Sequence, residues 1–343
     1  MRSSRNCRIS TGSPSAELCA PVRACHMTVA WAGYPGRSAA KTSPLDRYLF
    51  SYATASDPLI KRGLIRLVEK ATGQPKLKRM YVHNQRFPRL GETFWQAAVR
   101  SLELDVRYDA DALASVPKIG PVVFVANHPY GVLDGIVMAW LASKVRSDFV
   151  VLTHIVLTRA PEAARFILPV DFSGTEEAER TNLASRAAAR AQLERGGAVV
   201  VFPAGAISTT PDKLGLKPAV DGLWQTFVSQ LIQRSEATVV PIWFGGQNSR
   251  LFQIASHVSL TLRLSLIFHE VKTRIGTSLP VVIGAPVPFA SMAAIRNRQA
   301  LADELRARVY ALARLAPALG RPNRAARKLL EPRPGARRAD RAA

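Results

Sequence analysis

The sequence predicts an α/β fold: a single domain with a largely parallel mixed sheet flanked by helices. Three apolar runs carry that prediction, Val122–Ala126, Ala198–Phe202 and Thr238–Phe244. Each has the length and valine content of a buried strand. Each stops at a Gly-containing polar loop: NHPYG, PAGAIS and GGQNSR, in that order. Helical segments separate the runs, and strands that alternate with helices pair in parallel. In such a sheet ligands bind beyond the carboxyl ends of the strands, so the three loops share one functional edge.

Taken in order, residues 1–45 are rich in Ser, Gly, Pro and Arg and read as a disordered basic tail. Asp57 and Pro58 read as an N-cap followed by Pro at the first helical position. The helix that follows, LIKRGLIRLVEKATG, stops at Gly73. Its residues Ile60, Leu64, Leu67, Val68 and Ala71 share one face, with Lys61, Arg62, Arg66 and Lys70 on the others. Two readings fit: a helix lying on a membrane surface, or a helix packing its stripe on its own domain. A basic linker, Gln74–Arg89, leads to a second helix near 92–104 and a short strand at 104–108. Together, 46–104 form a helical, membrane-associating segment that precedes the α/β domain at 105–318.

Within that domain, Ile136–Leu141 reads as a helix. Phe149–Leu157 is a strand, 161–165 a helix or turn, and Phe166–Phe172 an extended piece. His154 is expected to be a strand or core residue. Glu176–Arg195 is an Ala-rich helix that Gly196 and Gly197 stop. Further helices are expected at 224–234 and 290–315, with a strand at 279–283. Residues 319–343 form a second disordered basic tail.

The chain has 343 residues and a net charge of +22. Residues 61–89 hold nine basic residues against one acid, Glu69. A polyanion partner follows, and an anionic membrane surface or an acidic carrier protein fits better than nucleic acid. Only Tyr81 and Phe87 interleave aromatics with that patch, so no nucleic acid is expected. A non-catalytic basic protein that binds membrane or nucleic acid is the alternative reading. Cys7, Cys19 and Cys25 all lie in the first tail, which supports neither a disulfide framework nor a Cys-based metal site in the domain. The first 26 residues lack an apolar signal core, and Met27 is a second possible start. With no apolar run of spanning length, the expectation is a peripheral protein on the cytoplasmic face of the membrane.

His128 follows the first strand and Asp134 opens the next helix. A His oriented by a carboxylate can take a proton from a hydroxyl. The PAGAIS loop offers backbone N–H donors at Gly205 and Ala206 for an oxyanion or a head group. No GxSxG sequence occurs, which argues against an α/β-hydrolase. The edge loops hold too few ligands for a metal, so none is expected.

From these residues the chain resembles the glycerophospholipid and lysophospholipid acyltransferase family over about Val122–Pro288. Asn127-His128-Pro129 with Asp134 is similar to the family's His…Asp block. Phe202–Ser208 is similar to its FPEGTRS-type block, and Val240-Pro241-Ile242 to the block with a proline after an apolar strand. The bacterial hemolysin-like or ornithine-lipid acyltransferase branch is the most similar. The resemblance implies a glycerol-3-phosphate acyltransferase-like fold and transfer of a fatty acyl group from acyl-CoA or acyl-carrier protein to a lysolipid hydroxyl. It implies His128 as base and Asp134 as its orienting partner. Asn127, Gly131, Phe202, Pro203, Gly205, Ala206, Ser208, Lys217, Asn248 and Arg250 become candidate substrate contacts. No cofactor is implied beyond the acyl donor.

The chain also departs from the pattern. Five residues separate His128 from Asp134 where the block has four. The Glu and Arg of the phosphate-linked block are Ala204 and Ile207, and Phe166–Pro169 carries no Arg. These losses point away from a phosphomonoester acceptor and toward a hydroxyacyl group on an amino-acid lipid. A phosphate, if present, would fall to Arg250, Lys213 or Lys217.

Overall fold

The computed structural model describes residues 58–319. Both tails, the three cysteines and the Asp57 cap lie outside them, as do the side chains of Lys61 and Leu64. In chain order the helices and strands begin with α1 (Leu59–Thr72), α2 (Gln74–Arg86), α3 (Phe94–Ser101), β1 (Asp105–Arg107) and α4 (Ala110–Ala114). There follow β2 (Val122–Ala126), α5 (Val132–Val145), β3 (Phe149–His154), α6 (Pro161–Ala164) and β4 (Ile167–Val170). Next come α7 (Glu176–Glu194), β5 (Ala198–Val201), α8 (Thr226–Ser235) and β6 (Thr238–Phe244). The last are α9 (Arg250–Val258), α10 (Leu260–Ser265), α11 (Ile267–Thr273), β7 (Ser278–Ile283) and α12 (Arg298–Ala311).

The seven strands form one sheet in the order β1-β7-β6-β2-β5-β3-β4. Every pairing is parallel except that of β6 with β7. The fold is therefore the mixed, mostly parallel α/β sheet that the apolar runs predict. Strand β2 lies at its centre, between β5 and β6, and all five of its residues are buried. Alternate side chains serve opposite faces. Val122, Phe124 and Ala126 join the core under α3, α5 and α11; Val123 and Val125 join the one under α7, α8 and α12. A buried residue of this size contributes roughly 1.5–3 kcal/mol on leaving water. That is why a run of five apolar residues, with no polar position, reads as a central strand.

Several expectations need correction. Gln74–Arg86 is a helix and not a linker: Pro75 occupies its first turn, and Leu77 anchors it in the core. Three helices, α9 to α11, fill 250–273, where none was expected. The expected C-terminal helix is shorter, because Asn297 caps α12 through its contact with Ala300 N. The expected helix at 224–234 begins two residues later, because Gln225 N donates to Pro203 O instead. Strand β3 stops at His154, whose ring accepts from Val156 N to start a tight turn. Burial holds His154 below its ordinary pKa, which suits a framework residue.

Helix α1 is rotated relative to its apolar stripe. Ile65 and Glu69 are buried and Val68 half-buried, whereas Leu59, Ile60, Leu67 and Ala71 are exposed. The helix packs against α10 and α11, and Val68 lies on the core cluster that includes Leu266, Ile267 and Val271. Most of the stripe thus faces away from the domain.

Candidate active site

The three loops meet at one edge because side chains and backbone groups of each tie to another. The Asn127 amide donates to Phe244 O at 2.9 Å and accepts from Phe244 N at 2.7 Å. Tyr130 Oη donates to Gly245 O at 2.9 Å. These bonds join the NHPYG loop to the end of β6. On the other side, Ser208 N donates to His128 O at 2.8 Å, joining NHPYG to PAGAIS.

His128 Nδ1 stands 3.1 Å from Asp134 Oδ2. Asp134 is fully buried, and the same oxygen accepts from Tyr130 N at 2.7 Å and Gly131 N at 2.9 Å. Asp134 therefore does two things at once: it caps the first turn of α5 and it faces the imidazole. Gly131, between the two, has φ +83° and leads into α5. Burial pushes the Asp134 carboxyl above the usual range, against the opposing effect of His128 and the two N–H groups. Phe202 packs its ring 4.2 Å from that of His128, centroid to centroid. With Nδ1 turned to the carboxylate, Nε2 is the nitrogen left for a substrate proton, and the side chain is 18% exposed.

The other candidates divide into framework and rim. Asn127 uses both ends of its amide on Phe244 and is 4% exposed, so it sets loop geometry. Ser208 is buried and donates to Asp221 Oδ1 at 2.5 Å. Pro203 is buried. Gly131 is a framework residue too, since a Cβ there would come 2.6 Å from Ile207 Cδ1. Asn248 is 1% exposed, and neither end of its amide has a partner. Gly205 and Ala206 are exposed, but the Gly205 N–H is spent on Phe202 O at 3.0 Å. That leaves Ala206 N–H as the donor of the pair. Lys213, Lys217 and Arg250 are exposed, and Arg250 Nε donates to Leu214 O at 2.8 Å.

The structure adds a residue that motif reading missed. Asp221, 3% exposed, accepts from His128 N at 3.2 Å, Ser208 Oγ and Trp224 Nε1 at 2.9 Å. Its own N–H donates to Tyr310 Oη at 2.7 Å. Burial, with Asp221 nearby, pushes the Tyr310 hydroxyl up to about 12, so it stays protonated. A carboxylate in an irregular stretch, far from His128 in the chain, leaves no pattern in one sequence. Among the described residues no group of three or more His, Cys, Asp and Glu could hold a metal ion.

A protein-family profile described as an acyltransferase matches residues 75–314, well over half of the chain. The chain belongs to this acyltransferase family. It is 22% identical over 276 residues to the lyso-glycine lipid O-acyltransferase of Bacteroides thetaiotaomicron, covering 78% of this chain and 96% of that one. It is 23% identical over 209 residues to the protein of that name from Phocaeicola vulgatus, covering 59% and 71%. Among solved structures, the 1-acyl-sn-glycerophosphate acyltransferase PlsC of Thermotoga maritima matches with a TM-score of 0.42 and 15% identity. That match covers 79% of this chain and 94% of PlsC. The family profile and the two curated relatives bear out the resemblance to a lipid acyltransferase family, and the protein is an acyltransferase.

Proposed function

We propose that this acyltransferase moves a fatty acyl group from a thioester, acyl-CoA or acyl-carrier protein, to the hydroxyl of a lysolipid. The observation that carries the reading is the His128–Asp134 pair at the meeting point of three strand-end loops. His128 Nε2 takes the hydroxyl proton as the oxygen attacks the thioester carbonyl. The imidazolium so formed is the counter-charge that the buried Asp134 carboxylate lacks. The tetrahedral oxyanion collapses, the C–S bond breaks, and the thiolate leaves with the proton from His128. Ala206 N–H is the exposed backbone donor beside the site and the candidate for the oxyanion. A thiolate leaves readily, so the step asks for no covalent enzyme intermediate.

For the acceptor, we favour a lyso-amino-acid lipid over lysophosphatidate. The PAGAIS loop lacks both charges of the phosphate-linked block, and the two curated relatives are named for a lyso-glycine lipid. An ornithine-type lipid falls in the same class. Such an acceptor lives in a bilayer, and no described helix is long and apolar enough to cross one. We assign the protein a peripheral position, with the exposed Leu59, Ile60 and Leu67 of α1 against the lipid.

The test is a reaction of purified enzyme with a labelled acyl thioester and a lyso-aminolipid. One free thiol per acylated lipid is expected. Thiol release with no acylated lipid would mean hydrolysis and would overturn the reading.

A further inference from the structure

The loop that lines the site, 202–210, has no charged residue. A charge nevertheless reaches it from another element. Arg263, on α10, donates from Nη2 to the carbonyl of Ile207. The next residue, Ser208, donates to the carbonyl of His128. One peptide unit therefore separates the guanidinium from the backbone of the base.

Arg263 is an unusual cation. It stacks over Phe252, which is fully buried, with 5.5 Å from the guanidinium carbon to the ring centroid. Among the described residues no carboxylate pairs with it. Burial pushes its pKa down, with no acid to oppose the shift. A guanidinium carries five N–H donors, and a single carbonyl occupies only part of that fork. A half-buried cation with spare donors and no carboxylate partner among the described residues offers a charged hydrogen-bond contact to an anion.

Two other guanidiniums hold loop carbonyls at this edge. Arg274 donates to Gln247 O and covers the ring of Tyr130. Arg306 donates to Asp221 O and covers the ring of Tyr310, with its Nε buried and unpartnered. Arg263 alone of the three donates to a carbonyl of the 202–210 loop, which carries the exposed Gly205 and Ala206 and is tied to His128 O through Ser208 N.

We infer that Arg263 is the anion contact for the acceptor's head group and pairs with its carboxylate. This deepens the proposed function and rests on it. The contact sets which lysolipids are acylated: an acidic head group is held beside the base, and a neutral one is not.

The experiment compares a lyso-aminolipid bearing a free carboxylate with its methyl ester, using one labelled acyl thioester. Lysophosphatidate is the third acceptor. Wild type and Arg263→Gln are assayed, since Gln keeps an N–H for Ile207 O while losing the charge. Arg263→Lys serves as the conservative variant. Wild type is expected to prefer the acid over the ester by at least about tenfold in kcat/KM. Arg263→Gln should erase most of that ratio through the KM of the acid, and Arg263→Lys should restore part of it. A merely structural role would lower turnover of acid and ester equally, and that result overturns the inference. Equal use of acid and ester by wild type also overturns it, while leaving acyl transfer intact. Preference for lysophosphatidate, lost in Arg263→Gln, would keep the anion contact and make its ligand a phosphate. No acylation of any acceptor by wild type would overturn the proposed function and the inference with it.

Discussion

His128 faces a carboxylate that water does not reach, and this decides what each of the pair's atoms can do. Removing the base by His128→Ala should lower the rate of acyl transfer about 100- to 10,000-fold. The fold should hold, because the His128 backbone makes the loop contacts to Ser208 and Asp221. Thiol release measured beside a thermal melt checks both; near-wild-type turnover in a folded variant would remove His128 from the mechanism. Asp134 also leaves a stability signature. Its folded pKa is raised by burial, so the unfolded chain loses this proton first as pH rises. From about pH 4 upward ionised Asp134 therefore weighs against folding, and the penalty is complete above the folded pKa. In a His128→Ala background, where the imidazole does not titrate, Asp134→Asn should gain in relative stability between pH 4 and pH 7. Urea titrations across that range measure it. A stability difference that moves toward the Asp form as pH rises would show that its N–H partners outweigh burial.

The element that turns this pair into a site is the first turn of α5, and its start depends on Gly131. With φ +83° and ψ −103°, that residue has a backbone that a side chain strains against. Gly131→Ala should cost about 1–3 kcal/mol of stability and displace Ile207, against which the new methyl would press. A melt and an activity assay check it, and unchanged values in both would mean that the turn is less constrained than its geometry implies. How legible each element was follows from the same physics. Strands β2, β5 and β6 were readable because burial on both faces leaves an uninterrupted apolar run. The reversed direction of β7 was not, since a strand's residues carry no mark of its partner's direction. Helices α9 to α11 were hidden because each is short and the three share 250–273 with caps only at Ser249 and Ser259. Losing them hid Arg263. His128 and Asp134 were legible because local spacing sets their contact, whereas Asp221 reaches His128 only through the tertiary fold.

At the scale of the whole molecule, the proposed lysolipid acceptor resides in a bilayer, and the domain has an exposed apolar face to offer it. Helix α1 packs on α10 and α11 with Ile65 and Glu69 buried, and its outer face carries Leu59, Ile60 and Leu67, all more than 60% exposed. Helix α10 carries Arg263, and Leu260 on α10 and Val258 at the end of α9 are exposed as well. Apolar side chains on neighbouring elements thus stand near the helix that supplies a cation to the site. Burying a leucine in lipid is worth roughly 1.5–3 kcal/mol, and each basic residue near an anionic surface adds about 1 kcal/mol. The basic part decays within about 10 Å at 0.1 M salt, whereas the apolar part does not. Both contribute to stable attachment where no helix among the described residues is long and apolar enough to span a bilayer. Co-sedimentation with vesicles containing anionic lipid should therefore weaken as salt rises without vanishing. Replacing Leu59, Ile60 and Leu67 together by Ser should remove the salt-resistant remainder and leave the melting temperature unchanged, because these side chains touch little of the domain. Binding that is indifferent both to salt and to the triple replacement would place the lipid contact on another face of the molecule.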